Sequence, residues 1–151
     1  MSEKYTFKQA KTAKRIIKYF AKLQSAVFLF SKGKLWNKWP GGFPIMVVET
    51  KGAKTKKFRN IPLIYVHQDG MPILVASLGG MPKNPDWYYN VKANPNLKIS
   101  TIDGSDSYLA EEVAKEKKDE LWPLICSFYP DYATYQSNTK REIPVFLCKK
   151  I

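Results

Sequence analysis

Apolar and polar positions divide the chain into a helical first part and a strand-rich remainder. Ala13, Ile16, Phe20, Leu23, Val27 and Phe30 recur at steps of three and four, the spacing of one helix face. Lys4, Lys8, Lys11, Arg15, Lys18 and Lys22 form a basic stripe roughly opposite, and Gly33 is placed to end the helix. From residue 45 the pattern changes. Ile45–Thr50, Asn60–His67, Met71–Ser77, Leu97–Ile102, Ser107–Val113 and Ile143–Cys148 read as strands. Lys51–Arg59 reads as a hairpin loop, with Gln68-Asp69-Gly70 and Asp103-Gly104 as tighter turns. Trp36–Pro44 and Leu78–Pro85 are connectors by their Gly and Pro content.

Three more helices are predicted. Asn84-Pro85-Asp86 has the residues of a helix start: Asn as cap, Pro at the first position, and Asp at the positive end of the dipole. That helix runs to about Ala93. Lys115–Phe128 reads as a helix that Pro123 kinks or breaks, and Asp131–Ser137 as a short one. The strands fall in consecutive hairpins rather than alternating with helices. This predicts an α+β fold: an antiparallel sheet or small barrel of about six strands, with three or four helices packed outside, the N-terminal amphipathic helix among them.

At 151 residues the chain reads as a single domain, 1–151, with a basic helical segment over 1–38 and a body over 43–151. The net charge of +12 is unevenly placed. Residues 1–38 hold ten Lys/Arg against Glu3 alone, residues 39–59 hold five against Glu49, and residues 60–151 hold ten against eleven acids. The basic helix is read in two ways: a solvated face above a core-packed face, or peripheral attachment to an anionic membrane surface, with Phe28, Trp36 and Trp39 nearby. Nucleic acid is a weaker third partner, because no recognised binding motif follows the stripe. The longest purely aliphatic and aromatic run, Ala26–Phe30, is far short of the roughly 20 residues a membrane span needs, and no signal peptide is read. Cys126 and Cys148 form no metal motif or disulfide framework, and His67 is the only histidine. A soluble cytoplasmic protein without a metal site is expected, its two cysteines buried and inert.

Three stretches carry candidate chemistry. Lys54, Lys56, Lys57 and Arg59 concentrate positive charge in one hairpin, suited to a phosphate or polycarboxylate. Ser77-Leu78-Gly79-Gly80 allows close backbone approach to a ligand just before a helix start. Trp87, Tyr88 and Tyr89 cluster near a helix start, and Tyr129, Tyr132 and Tyr135 recur at every third position, broadly on one side of a short helix. Each stretch also has an ordinary structural reading as solvated loop, bare turn and core packing. No self-sufficient nucleophile or paired carboxylate is seen, so any chemistry falls to a bound cofactor.

In this order the stretches resemble the deazaflavin-dependent nitroreductase family, which uses coenzyme F420 on a split β-barrel related to flavin-binding proteins. The matching residues are Thr50–Thr55 through Arg59, Ile61-Pro62-Leu63, Val75–Gly80, Lys83–Asn90, Lys92–Pro95, Leu121-Trp122-Pro123, Tyr129–Tyr132, Tyr135-Gln136 and Ile143-Pro144-Val145, within residues 45–149. The resemblance implies that Lys54, Lys57 and Arg59 contact the cofactor's phosphate and glutamyl tail. It implies that Pro62, Ala76 and Ser77 line the deazaflavin ring, with Leu78, Gly79 and Gly80 against the cofactor. Trp87 and Asn90 would shape the groove, and Tyr129, Tyr132 and Tyr135 would close over the substrate side. Ser77 or a tyrosine hydroxyl would orient the acceptor or relay a proton. A hydride would pass to a small electron-poor acceptor: a quinone, an enone or a nitroaromatic. FMN is the alternative cofactor, a non-catalytic membrane-associated module the alternative role, and a homodimer the oligomer such barrels suggest. The chain departs from the family pattern at Ala53, where Arg is common, at Leu78, where a polar or basic residue is common, and at Lys56, where Gly is usual.

Overall fold

The computed structural model describes residues 7–151. Helix α1 (Phe7–Phe30) is followed by strands β1 (Lys38–Trp39), β2 (Phe43–Lys51), β3 (Phe58–Ile64), β4 (Val66–Gln68) and β5 (Met71–Val75). Then come α2 (Asp86–Ala93), β6 (Asn96–Thr101), β7 (Gly104–Glu112), α3 (Lys115–Phe128), α4 (Asp131–Ser137) and β8 (Val145–Lys150). All pairings are antiparallel, in the order β1-β2-β6-β7-β8-β5-β4, with β3 on β2. The two far ends, β3 and β4, are joined through one residue, Tyr65, whose N–H donates to the Pro44 carbonyl at 2.9 Å. One bent strand therefore serves both edges, and the sheet curls into a six-membered split barrel. This is the expected α+β fold.

Alternation along the strands sorts the core into layers. Met46, Val48, Leu74, Ala76, Leu97, Ile99, Ala110, Phe146 and Cys148 fill the interior, closed by Trp87 and Val91 of α2. On the outer face, Ile73, Val75 and Val145 pack beneath Leu121, Ile125, Tyr129 and Tyr132 of the α3–α4 region. The Asp69-Gly70 turn takes left-handed φ at both residues (50° and 79°), as a two-residue hairpin with right-twisted strands demands.

Two helix details differ from expectation. Helix α3 continues through Pro123 without interruption, because Pro123 and Asp119, whose carbonyl loses its N–H partner, are both exposed to water. Asn84 does not cap α2: the cap position is Pro85, and the Asn84 side chain accepts from Arg141 instead.

The larger difference is α1. The residues that pack are Gln24, Ser25 and Phe28, with Phe28 against Ile45 and Val47 of β2. Gln24 is held because its Nε2 donates to the Trp36 and Lys38 carbonyls at 3.2 and 3.3 Å. This is a third face, lying between the two predicted stripes. Of the stripe expected to enter the core, Ile16 is 65% exposed, Leu23 54% and Phe30 93%, whereas Ala13 and Val27 are half-buried and the Phe20 ring meets that of Trp39. Lys11, Arg15, Lys18 and Lys22 are exposed as well; Lys4 and the side chain of Lys8 lie outside the described residues.

Candidate cofactor and acceptor site

The basic hairpin is a built loop. Between Lys51 and Phe58, which pair, the Gly52 N–H donates to the Lys57 carbonyl at 2.8 Å and the Lys56 N–H to the Gly52 carbonyl at 3.0 Å. A Cβ at Gly52 would meet Thr55 Oγ1, so a larger residue there would displace the threonine side chain. Lys56 takes the left-handed φ of 62° that a glycine adopts freely, and its Nζ donates to the Ala53 carbonyl at 2.9 Å. That leaves Lys54, Lys57 and Arg59 exposed on the loop and the strand beside it. The loop is tied to α2, where Asn90 Oδ1 accepts from the Ala53 N–H at 3.0 Å and Asn94 Nδ2 donates to the Lys51 carbonyl at 3.5 Å.

The glycine segment lies at the other end of α2. Leu78–Gly80 form one 3-10 turn with three consecutive left-handed residues (φ 45°, 63° and 77°). For Leu78 such a conformation costs roughly 1–3 kcal/mol, so its surroundings must enforce it. Gly80 is pressed against α4, where a Cβ would meet the Tyr135 backbone; Gly79 faces open space, with nothing within 4 Å of a Cβ position. Arg141 grips the turn from the chain between α4 and β8, donating to the carbonyls of Ala76, Ser77 and Met81 and to Asn84. Sequence reasoning gave Arg141 no role. Its acceptors are mostly carbonyls, 60 to 65 residues away, and they leave no mark in the side-chain pattern.

Helix α2 is thus a strut, with the glycine turn before its first residue and the basic loop clamped to its second half. The remaining expected residues are spread over several layers. Ala76 is fully buried and Trp87 is 8% exposed, both in the barrel interior, so Trp87 supports α2 from beneath. Pro62 pairs with Val47 on the outer face of β2–β3, the face carrying Phe28 of α1. Asn90 is committed to the loop N–H. Ser77 is 8% exposed.

The tyrosines meet one another: the Tyr129 and Tyr135 hydroxyls lie 3.1 Å apart, and all three rings are in mutual contact. Tyr129 and Tyr132 are buried among the outer core residues, whereas Tyr135 is half-buried. Burial, and for Tyr129 also the hydrogen bond to Tyr135, pushes the phenols of Tyr129 and Tyr132 above their ordinary value, so both stay protonated at neutral pH. His67 is packed between Tyr65 and Phe128. Cys148 is fully buried, which pushes its thiol up to about 12; Cys126, expected to be buried, is half-buried, and burial raises its thiol too.

A flat ligand with an anionic tail suits this donor set. Exposed cations sit on a loop fixed to α2, and a glycine offers open backbone at the other end of that helix. The fold and these two ends place the chain in the class of split-barrel proteins. A family model described as F420H(2)-dependent quinone reductase matches residues 21–150, and the chain belongs to that family. An F420H(2)-dependent quinone reductase of Mycobacterium tuberculosis is 34% identical over 127 residues, covering 82% of this chain and 85% of that protein. A solved structure described as an F420-H2 dependent reductase is 43% identical, with a TM-score of 0.66 over 70% of this chain and 94% of its own. Another, described as a domain-swapped dimer, is 36% identical, with a TM-score of 0.69 over 87% of this chain and 98% of its own. The resemblance read within residues 45–149 pointed to nitroreduction by name. The family match is described by quinone reduction and extends back into α1.

Proposed function

We propose that this chain is an F420H2-dependent oxidoreductase that reduces a small quinone-type acceptor. The observation that carries the reading is the pairing of a fixed basic loop and an open glycine turn at the two ends of α2, in a chain of this family. When bound, reduced F420 supplies a hydride. Lys54, Lys57 and Arg59 hold the anionic tail by charge, and Asn90 keeps their loop in place. The backbone at Leu78–Gly80 backs the ring, with Pro62, Ala76 and Trp87 supporting it through the sheet and α2. Reducing a quinone also takes a proton at the developing oxyanion. Ser77 and Tyr135 carry hydroxyls for this purpose, and the Tyr129 hydroxyl, 3.1 Å from that of Tyr135, orients it. Tyr132 holds the other two rings by packing.

Fluorescence titration with F420 and steady-state oxidation of F420H2 by menadione test the reading. Saturable binding at micromolar ligand with turnover supports it. Turnover with FMN from a yellow preparation, with no F420 binding, replaces the cofactor. F420 binding without turnover leaves a binding module.

The exposed apolar and basic stripes of α1 favour a second property: peripheral attachment to an anionic phospholipid surface. Among the described residues no helix is long and apolar enough to cross a membrane. Ile16, Phe20, Leu23 and Phe30 are exposed beside Lys11, Arg15, Lys18 and Lys22, the arrangement of a helix lying in the headgroup region. Co-sedimentation with phosphatidylglycerol vesicles, and none with phosphatidylcholine vesicles, is the expected result. A homodimer in solution that hides the stripe and ignores both vesicles would assign this face to a second copy of the chain.

A further inference from the structure

The Arg141 guanidinium uses all three nitrogens on one target. Nε donates to the Met81 carbonyl at 3.0 Å, Nη1 to the Ala76 carbonyl at 3.1 Å and to Asn84 Oδ1 at 2.8 Å, and Nη2 to the Ser77 carbonyl at 2.7 Å. These four acceptors bracket the left-handed turn on both sides. Three carbonyls converging on one planar group are a geometric constraint: the fork of an arginine satisfies them together, and the single-point ammonium of a lysine does not.

Arg141 is itself presented by a second brace. Gln136 Nε2 donates to the Arg141 carbonyl at 2.8 Å, and Gln136 Oε1 accepts from the Ile143 N–H at 3.0 Å. The same oxygen accepts from Lys118 Nζ at 2.7 Å, and Lys118, which is buried, reaches Glu142 at 2.7 Å. Helices α3 and α4 thus hold the backbone on both sides of Arg141, and Arg141 holds the turn.

We propose that Arg141 is a positioning residue of the reductase: it sets the Ala76–Met81 turn in the left-handed shape that seats the cofactor ring, and so governs F420 affinity rather than the transfer step. The proposal rests on the F420 reading above. It differs from a stability role because the barrel core does not include Arg141, whereas the turn conformation depends on it.

The test compares Arg141→Lys, Arg141→Ala and Asn84→Ala with the unaltered protein by F420 fluorescence titration, amide hydrogen exchange, thermal unfolding and menadione kinetics. For Arg141→Lys the expected result is F420 binding weakened at least tenfold, faster exchange confined to residues 77–84, and kcat within threefold at saturating F420H2. Asn84→Ala, which removes one acceptor and no charge, weakens binding two- to fourfold. Should Arg141→Ala not fold, these two variants decide the matter. Unchanged affinity and exchange in Arg141→Lys overturn the proposal, as does a fall in kcat with no change in affinity. Unaltered protein that fails to bind F420 overturns the F420 reading, and this proposal with it. Binding by the unaltered protein with an unmoved Arg141→Lys affinity overturns this proposal alone.

Discussion

The loop over residues 52–57 and the stripe of Lys11, Arg15, Lys18 and Lys22 on α1 both expose their cations, but the fold handles them differently. The loop closes on itself through Gly52 and Lys57 and is fastened to α2 by Asn90 and Asn94, so its cations are presented in one arrangement. In α1 every described side chain between Arg15 and Phe20 is exposed, and the fully buried positions begin at Gln24, within the family match. At 1.5 Å per residue, the exposed cations Lys11, Arg15, Lys18 and Lys22 are spread over about 17 Å of helix. Fixed charge of this kind recognises a shaped ligand, whereas charge on an uncovered helix suits an extended surface. Variants that exchange these properties test the distinction.

The largest effect is expected from replacing Lys11, Arg15, Lys18 and Lys22 by Gln. At about 1 kcal/mol per basic residue near an anionic bilayer, partition onto phosphatidylglycerol vesicles falls by roughly 100- to 1,000-fold, while F420 affinity holds. A parallel loss of F420 affinity would break the division of labour between the segments. Next comes Lys54→Ala with Arg59→Ala. Both side chains are exposed, and at about 1–1.5 kcal/mol each the double variant binds F420 roughly 30- to 100-fold more weakly at low salt, with vesicle partition unchanged. Asn90→Ala alters no charge and removes only the tie to the Ala53 N–H. It should weaken F420 binding about fivefold, and the loss should persist at high salt, where the charge variants converge on the unaltered protein. If Asn90→Ala leaves affinity untouched, loop fastening contributes nothing to recognition.

The same contrast shows what the sequence could reveal. Alternation and turn chemistry are local signals, so the bounds of α2, α3 and α4, the Asp69-Gly70 hairpin and most strands were legible, although the two-residue β1 was missed, β3 and β4 were read as one strand, and β7 begins three residues before Ser107. The basic loop and the glycine turn were legible as separate segments. Their relation through α2 was not, because Asn90 and Ala53 are 37 residues apart. The apolar stripe of α1 was found correctly, and the core-packed reading of it holds only in part, at Ala13, Phe20 and Val27. Periodicity reports that a face is apolar and is silent on what covers it; here Gln24, a polar residue, is buried because two carbonyls near β1 accept from it. The resemblance placed the tyrosines near the substrate, and mutual packing draws Tyr129 and Tyr132 into the core, leaving Tyr135 the more accessible of the three.

The smallest expected effect concerns pH. Hydrogen bonding to Lys118, helped by the charges of Lys118 and Lys115, holds the Glu142 carboxyl below its ordinary value, although burial opposes this. A carboxyl depressed on folding binds fewer protons in the native state than in the unfolded one, so its contribution to stability is present above the unfolded value, near pH 4.3. That contribution is lost as pH falls from there through the lower native value. Glu142 is largely exposed, so the effect on global unfolding is small. Its position gives it a second readout. As pH falls through that lower native value the Lys118–Glu142 pair fails, the brace on the Arg141 segment slackens, and amide exchange at residues 77–84, corrected for intrinsic pH dependence, should accelerate before the barrel strands respond. Glu142→Gln should show the faster exchange already at neutral pH and lose the acid-dependent step. An exchange profile in that variant identical to the unaltered protein at both pH values would separate the brace from the turn, and confine the control of the turn to the four hydrogen bonds of Arg141.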